Sequence, residues 1–245
     1  MEISFIITVA TIIFFASIVH GGIGFGFGMI STPLIALFTD IQTAITLIII
    51  PTMLANIVSI VSEGNFFEAI KKFWFIILLM VIGSAIGTIL LIFTNSDYFK
   101  LLLAFIIFVY LLQSTFNIRF SFVSKNPKLS TYVLGIVGGT MSGLTNIVAP
   151  LMIMYTMELN YSKKDTIQLS NLCFLFTKIG QLTIFLYFGT FTIQIFEVSM
   201  ISVIAVAVGL FFGIKIKRKI DTKFYTKILK ILLFIIASIL VLTTI

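Results

Sequence analysis

The segment His20-Gly-Gly-Ile-Gly-Phe-Gly-Phe-Gly-Met-Ile-Ser-Thr-Pro-Leu34 sets five glycines and a proline inside an otherwise apolar run. If that run lies in lipid, its backbone N–H and C=O groups must be satisfied internally, so a break survives only where protein buries it or where it lines a polar cavity. The chain breaks twice in this way. Gly138-Gly-Thr-Met-Ser-Gly-Leu-Thr-Asn-Ile-Val-Ala-Pro-Leu151 has the same shape, and Gly21, Gly22, Gly26, Pro33 and Leu34 match Gly138, Gly139, Gly143, Pro150 and Leu151 at one offset of 117 residues. The pairing reads as an internal repeat.

Lipid is the expected surrounding, because 60% hydrophobic and 10% charged residues over 245 positions are more apolar surface than one soluble core encloses. Apolar stretches of about 20 residues are helix spans rather than membrane strands. The expected class is an all-α polytopic membrane protein. A net charge of +7 does not call for nucleic acid, since the basic residues sit in short connections where topology and anionic headgroups explain them. The lone Cys173 excludes an internal disulfide and a cysteine-based metal cluster, and no metal site is expected. The first apolar stretch lacks a basic leader and a small-residue cleavage site, so it reads as a retained span.

In order, residues 3–20 form a first helix that meets the glycine break and resumes at 29–38. A second span runs from Gln42 to Ser62 with Pro51 and Asn56, followed by spans at 73–93 and 98–116. The polar stretch Asn117 to Ser130 is the linker, dividing a repeat of residues 1–120 from one of residues 121–245. The second repeat holds a broken segment at 131–157 and spans at 166–188, 196–214 and 224–243. Gly83-x-x-x-Gly87 and Gly209-x-x-x-Gly213 predict close helix packing. If each broken segment doubles back at its glycines, every basic loop residue except Lys100 falls on one side. Lys71, Lys72, Arg119, Lys125, Lys128, Lys163, Lys164 and the cluster from Lys215 to Lys227 then share the cytoplasmic face. Single crossings give a much weaker bias. The hairpin arrangement makes the halves two inverted repeats, each a broken glycine-rich hairpin plus three transmembrane helices, with an extracytoplasmic C-terminus.

Polar groups within spans are rare and mark function. Lys178 lies mid-span, with Asn171 on its face and Thr177 and Gln181 at the edges of that face. Thr52, Asn56 and Ser59 form an uncharged stripe in the first repeat. Lys230, beside a basic loop, is expected to snorkel. Asp40, Asp97, Asp165 and Asp221 lie at segment ends, so no carboxylate falls mid-span. Pro33 and Pro150 suit the first turn of a resumed helix, whose free N–H groups and partial positive charge attract anions. Ser31, Thr32, Thr145 and Asn146 lie just upstream as caps or ligands. The expected substrate-binding set is Gly24, Gly26, Gly28, Ser31, Thr32, Asn56, Ser142, Gly143, Thr145, Asn146, Asn171 and Lys178.

A glycine-rich break ending in Pro-Leu, a second span containing Ala-Ile-Thr, a Glu-Gly-Asn turn and a second copy after a central linker resemble the sulfite exporter TauE/SafE family. The likeness covers essentially the whole chain. It implies export or exchange of a small sulfur-containing or organic anion, such as sulfite or a sulfonate, across the bacterial inner membrane without a prosthetic group. Thr145-Asn146 departs from the commoner pattern, which has further glycines there. The expected function is a secondary transporter working by alternating access on a small anionic solute, with a homo-oligomer as an allowed state. A membrane scaffold without transport is the alternative. An intramembrane enzyme would need Ser142 as nucleophile with His20, the single histidine, as base.

Overall fold

Helix is the only way for isolated apolar runs of this length to satisfy their backbones in lipid, and the computed structural model is helical throughout the spans. It describes residues 2–116, 121–216 and 222–244. Of the basic and acidic positions named above, Arg119, Lys217, Arg218, Lys219 and Asp221 lie outside the described residues, as does the C-terminal Ile245.

The first half comprises α1 (Ile3–Ile23), α2 (Phe27–Ala36), α3 (Ile41–Leu47), α4 (Ile49–Glu63), α5 (Phe66–Phe93) and α6 (Ser96–Phe116). The second comprises α7 (Ser121–Lys125), α8 (Pro127–Val133), a π-helical turn at Leu134–Gly138, α9 (Gly139–Thr145), α10 (Ala149–Glu158), α11 (Lys163–Tyr187), α12 (Ile193–Ile216) and α13 (Thr222–Thr244). Five of these helices are long and apolar enough to cross a membrane, or six if α3 and α4 count as one bent span. The expected linker is partly helical. Pro127 opens α8, where its missing N–H costs nothing.

Each break has a local cause. Gly24 and Gly26 both adopt φ +97°, a left-handed conformation that glycine reaches without steric cost. In the second half Asn146 alone turns the chain, at φ 63°; asparagine tolerates that region better than most residues. Asn146 therefore does the work of the absent glycines. Pro150 sits in the first turn of α10 as expected. Pro33 does not: it lies seven residues into α2, because the glycines stop α1 earlier and α2 restarts at Phe27. Between α3 and α4 the chain bends by 47°. Pro51 cannot donate to the carbonyl of Leu47, and that carbonyl instead accepts a 2.7 Å hydrogen bond from Ser199 Oγ of α12.

The two halves pack by exchange. α1 lies along α12, with Phe14 and Ser17 at Gly209 and with Ile18 and Gly21 at Gly213. The α8–α9 rod lies along α5, with Ile136 and Thr140 at Gly83 and with Thr140 and Gly143 at Gly87. Gly21 thus takes the place that Gly143 takes in the other half, a spacing of 122 residues, as does Gly24 relative to Asn146. The 117-residue match aligns the prolines; the packing aligns the turns. α4 and α11 meet in opposite directions, since Gln168 near the start of α11 donates to the carbonyls of Ile60 and Gly64 at the end of α4. α5 and α11 run together, joined at their starts by the 2.8 Å ion pair of Lys72 with Asp165. α6 and α13 are antiparallel: Phe108 stacks edge-on with Phe234, and Lys230 Nζ donates at 2.8 Å to the carbonyl of Ser114. Lys230 accordingly closes the C-terminal end of α6 rather than snorkelling, which suits a cation at a helix C-terminus.

α1 runs with α12, and α12 begins beside the start of α4, at Leu47. α1 and α4 therefore point the same way, and α2 returns between them. Lys72, Lys128 and Lys164 then lie at the face where α5, α8 and α11 begin. In a Cys173→Ser background, cysteines replacing those three lysines are expected to react with an impermeant maleimide from one side of the membrane. Cysteines replacing Asp97 and Tyr187 are expected to react from the other, and mixed sidedness within either group would contradict these directions.

Candidate functional site

The starts of α2 and α10 meet at one cavity, with Ala149 the residue that α10 contributes. Neither helix has a side chain capping its N-terminus, and the leading N–H groups of a helix have no partner within it. Between them lies a cavity of about 20 Å³, lined by Gly26, Phe27, Gly28 and Met29 from the α2 start, by Ser142, Asn146 and Ala149 around the second break, and by Thr52, Asn56, Phe174 and Lys178. Such a space admits a water-sized occupant.

Two buried groups give the cavity its chemistry. Lys178 is 2% exposed, and its ammonium donates to Gln181 Oε1; Gln181 Nε2 in turn donates at 3.0 Å to the carbonyl of Gly143. The ammonium is held against the second break by a neutral relay, and no carboxylate lines the cavity. Asn56 is fully buried, and neither its amide nitrogen nor its amide oxygen has a hydrogen-bond partner. A buried amide without partners costs folding free energy, about 1–3 kcal/mol for each group left unpaired. At the cavity beside the ammonium it offers a donor and an acceptor with no protein partner. Two helix N-termini, one ammonium and one amide therefore converge on the same space, an arrangement suited to an anion.

Of the expected residues, Gly26, Gly28, Asn56, Ser142, Asn146 and Lys178 meet at this cavity. The others stand behind it. Gly24 ends α1, and its carbonyl accepts a 2.7 Å hydrogen bond from Asn171 Nδ2, which fixes α11 against the first break. Thr32 Oγ1 accepts at 3.0 Å from Asn146 Nδ2 and so ties the two breaks together. Ser31 and Thr145 donate to carbonyls of their own helices, those of Phe27 and Met141, and neither caps a resumed helix. Gly143 faces Ser84, Gly87 and Thr88 of α5, so it is a packing glycine whose carbonyl alone serves the site. The sequence reading left out Phe27, Met29, Thr52 and Phe174 as lining residues and Gln181 as the partner of Lys178. The three-residue spacing of Lys178 and Gln181 on one helix was the available signal.

His20 is fully buried, and its Nε2 shares a 2.8 Å hydrogen bond with Ser59 Oγ. The pairing with Ser142 that a nucleophilic serine would need is not formed. Among the described residues, no three of His, Cys, Asp and Glu come together as a metal site requires.

A sequence model of a protein family described as Sulfite exporter TauE/SafE matches residues 9–240. No curated protein and no solved structure matches the chain.

The glycine contacts separate two kinds of damage. A Cβ at Gly87 or Gly143 would collide with backbone across the α5–α9 contact, whereas one at Gly26 would meet nothing within 4 Å. Gly87→Ala and Gly143→Ala are both expected to lower thermal stability, each by about 1–3 kcal/mol for overpacking. Gly26→Ala should instead strain only the left-handed turn, by about 1–2 kcal/mol. A comparison of melting temperatures with ligand binding tests this, since only Gly26→Ala is expected to impair binding more than stability. At the second break, Asn146→Gly should keep the fold and Asn146→Leu should not, the measure being the yield of monodisperse protein.

Proposed function

The chain belongs to the sulfite exporter TauE/SafE family, and from that premise we propose that it is a secondary transporter exporting a small anion, a sulfur oxyanion or a sulfonate. The observation that carries the reading is the convergence of the α2 and α10 N-termini on Lys178 in a cavity with no carboxylate in its lining. A buried ammonium without a counter-charge is costly, and a bound anion supplies one. A purely cationic amine would meet only repulsion there. Asn56 adds a donor and an acceptor, which matches the oxygens of sulfite or a sulfonate and any hydroxyl they carry.

Transport in this reading is by alternating access, with the halves acting as inverted repeats. Its support is the exchange packing, in which each broken helix lies on a long helix of the opposite half, and the opposed directions of α4 and α11. Opening to either side requires movement of one broken segment away from Asn146 and Thr32, the one direct hydrogen bond linking side chains of the two breaks among the described residues. The basic face, with Lys71, Lys72, Lys125, Lys128, Lys163 and Lys164, is the cytoplasmic side under the positive-inside rule. The membrane is proposed to be the bacterial inner membrane.

Sulfite uptake into proteoliposomes and sulfite-induced thermal stabilisation of the purified chain test the proposal. Lys178→Gln should weaken sulfite binding roughly 30-fold or more, because truncating one partner of a buried charge pair removes a large interaction, while leaving the protein folded. Lys178→Arg should retain charge yet transport poorly, since a planar fork does not replace a compact ammonium held by Gln181. Normal binding and transport by Lys178→Gln would refute an anion site at this lysine.

A further inference from the structure

A second and much larger hollow lies outside the central cavity. It is a groove of about 410 Å³ between α6, the α8–π–α9 rod and α10, and its walls are apolar, with Phe105 and Val109 on one side and Val133 and Val137 on the other. These four side chains are themselves exposed, so the groove opens sideways toward lipid. Its deep end reaches Ile147 and Pro150, immediately behind Asn146. Its other end lies at the basic face, where Phe122 and Val123 of α7 and Ser130 of α8 complete the lining.

That surface end carries the chemistry. Ser130 is 4% exposed, and its hydroxyl has no hydrogen-bond partner although it lines the groove. Lys125 shares a helical face with the groove-lining Phe122, three residues before it, and Lys128 sits in the first turn of α8 ahead of Ser130; both lysines are exposed. An apolar channel starting at the basic face, with an unpartnered hydroxyl in its wall and exposed lysines on the two short helices at its mouth, has the polarity profile of an anionic phospholipid. Anionic lipids gain about 1 kcal/mol for each lysine near their surface.

We infer that this groove binds one anionic phospholipid of the basic-side leaflet, with an acyl chain along Val109 and Val137, an ester carbonyl accepting from Ser130, and the headgroup phosphate between Lys125 and Lys128. The chain end then abuts the backbone of the second break from behind. Occupancy of the groove supports α10 where its Ala149 lines the central cavity, so the lipid acts on the transport cycle without entering the substrate site. The inference stands on the groove and its charges and does not depend on the identity of the transported solute.

The test is titration of the purified full chain with dioleoylphosphatidylglycerol and with dioleoylphosphatidylcholine, read by native mass spectrometry. One tightly retained phosphatidylglycerol per chain is expected, with phosphatidylcholine bound more weakly. Lys125→Gln combined with Lys128→Gln should weaken phosphatidylglycerol roughly 30-fold, two surface lysines' worth, and leave phosphatidylcholine unchanged. Val137→Trp fills the groove from one wall and Val109→Trp from the other; both positions are exposed, and either substitution should abolish the tight site while the protein stays monodisperse. Equal affinity for the two lipids would overturn the inference. So would retention of the site by both tryptophan variants, or disulfide-linked dimers of Val109→Cys, which would show a second copy of the chain on this face.

Discussion

The structure depends on one constraint: in lipid, a backbone group without a partner is far costlier than a side chain out of place. Among the described residues, carbonyls freed where the chain leaves or bends its helices are met by side chains from elsewhere in the protein. The carbonyl that Pro51 releases at Leu47 is taken by Ser199, and that of Gly24 by Asn171. Gly143 is taken by Gln181. In every case the donor is a side chain from another helix of the other half or from across the break, so the breaks and the tertiary packing are mutually required.

The same constraint explains why the site lies where it does. Helix starts are the places where N–H groups are unpaired by construction, and α2 and α10 bring two such starts together at the centre. Beside them the cavity holds the ammonium of Lys178 and the unpartnered amide of Asn56, where the proposed anion would bind. The long helices have the opposite task. Gly83, Gly87, Gly209 and Gly213 let α5 and α12 approach the broken helices of the opposite half at backbone contact, where dispersion and close packing hold helices that gain nothing from hydrophobic exclusion in lipid. The broken segments are thus clamped along their intact lengths by close packing and at their turns by the hydrogen bonds of Asn171, Asn146 and Gln181.

The amino-acid sequence by itself determined where the chain must be helical and where it must turn. Those are local matters: left-handed backbone at Gly24, Gly26 and Asn146, the missing N–H at Pro51 and Pro150, and the lengths of the apolar runs all act within a few residues. The isolated charge of Lys178 was equally legible, because a lysine in the middle of an apolar span is conspicuous without any knowledge of its neighbours. What only the tertiary structure decided is which face each of these residues meets. Gly26 and Gly143 occupy matching positions in the sequence repeat, yet one lines the cavity and the other packs on α5; Pro33 and Pro150 match as well, yet one lies inside a helix and the other starts one. Lys230 ends on the carbonyl of Ser114 rather than in the headgroups, and Lys178 on Gln181. The reason is physical: turn chemistry is fixed by a residue and its immediate neighbours, whereas the partner across a helix contact comes from more than a hundred residues away. A shift of five residues in register leaves the sequence pattern intact while rotating every side chain to a different surface.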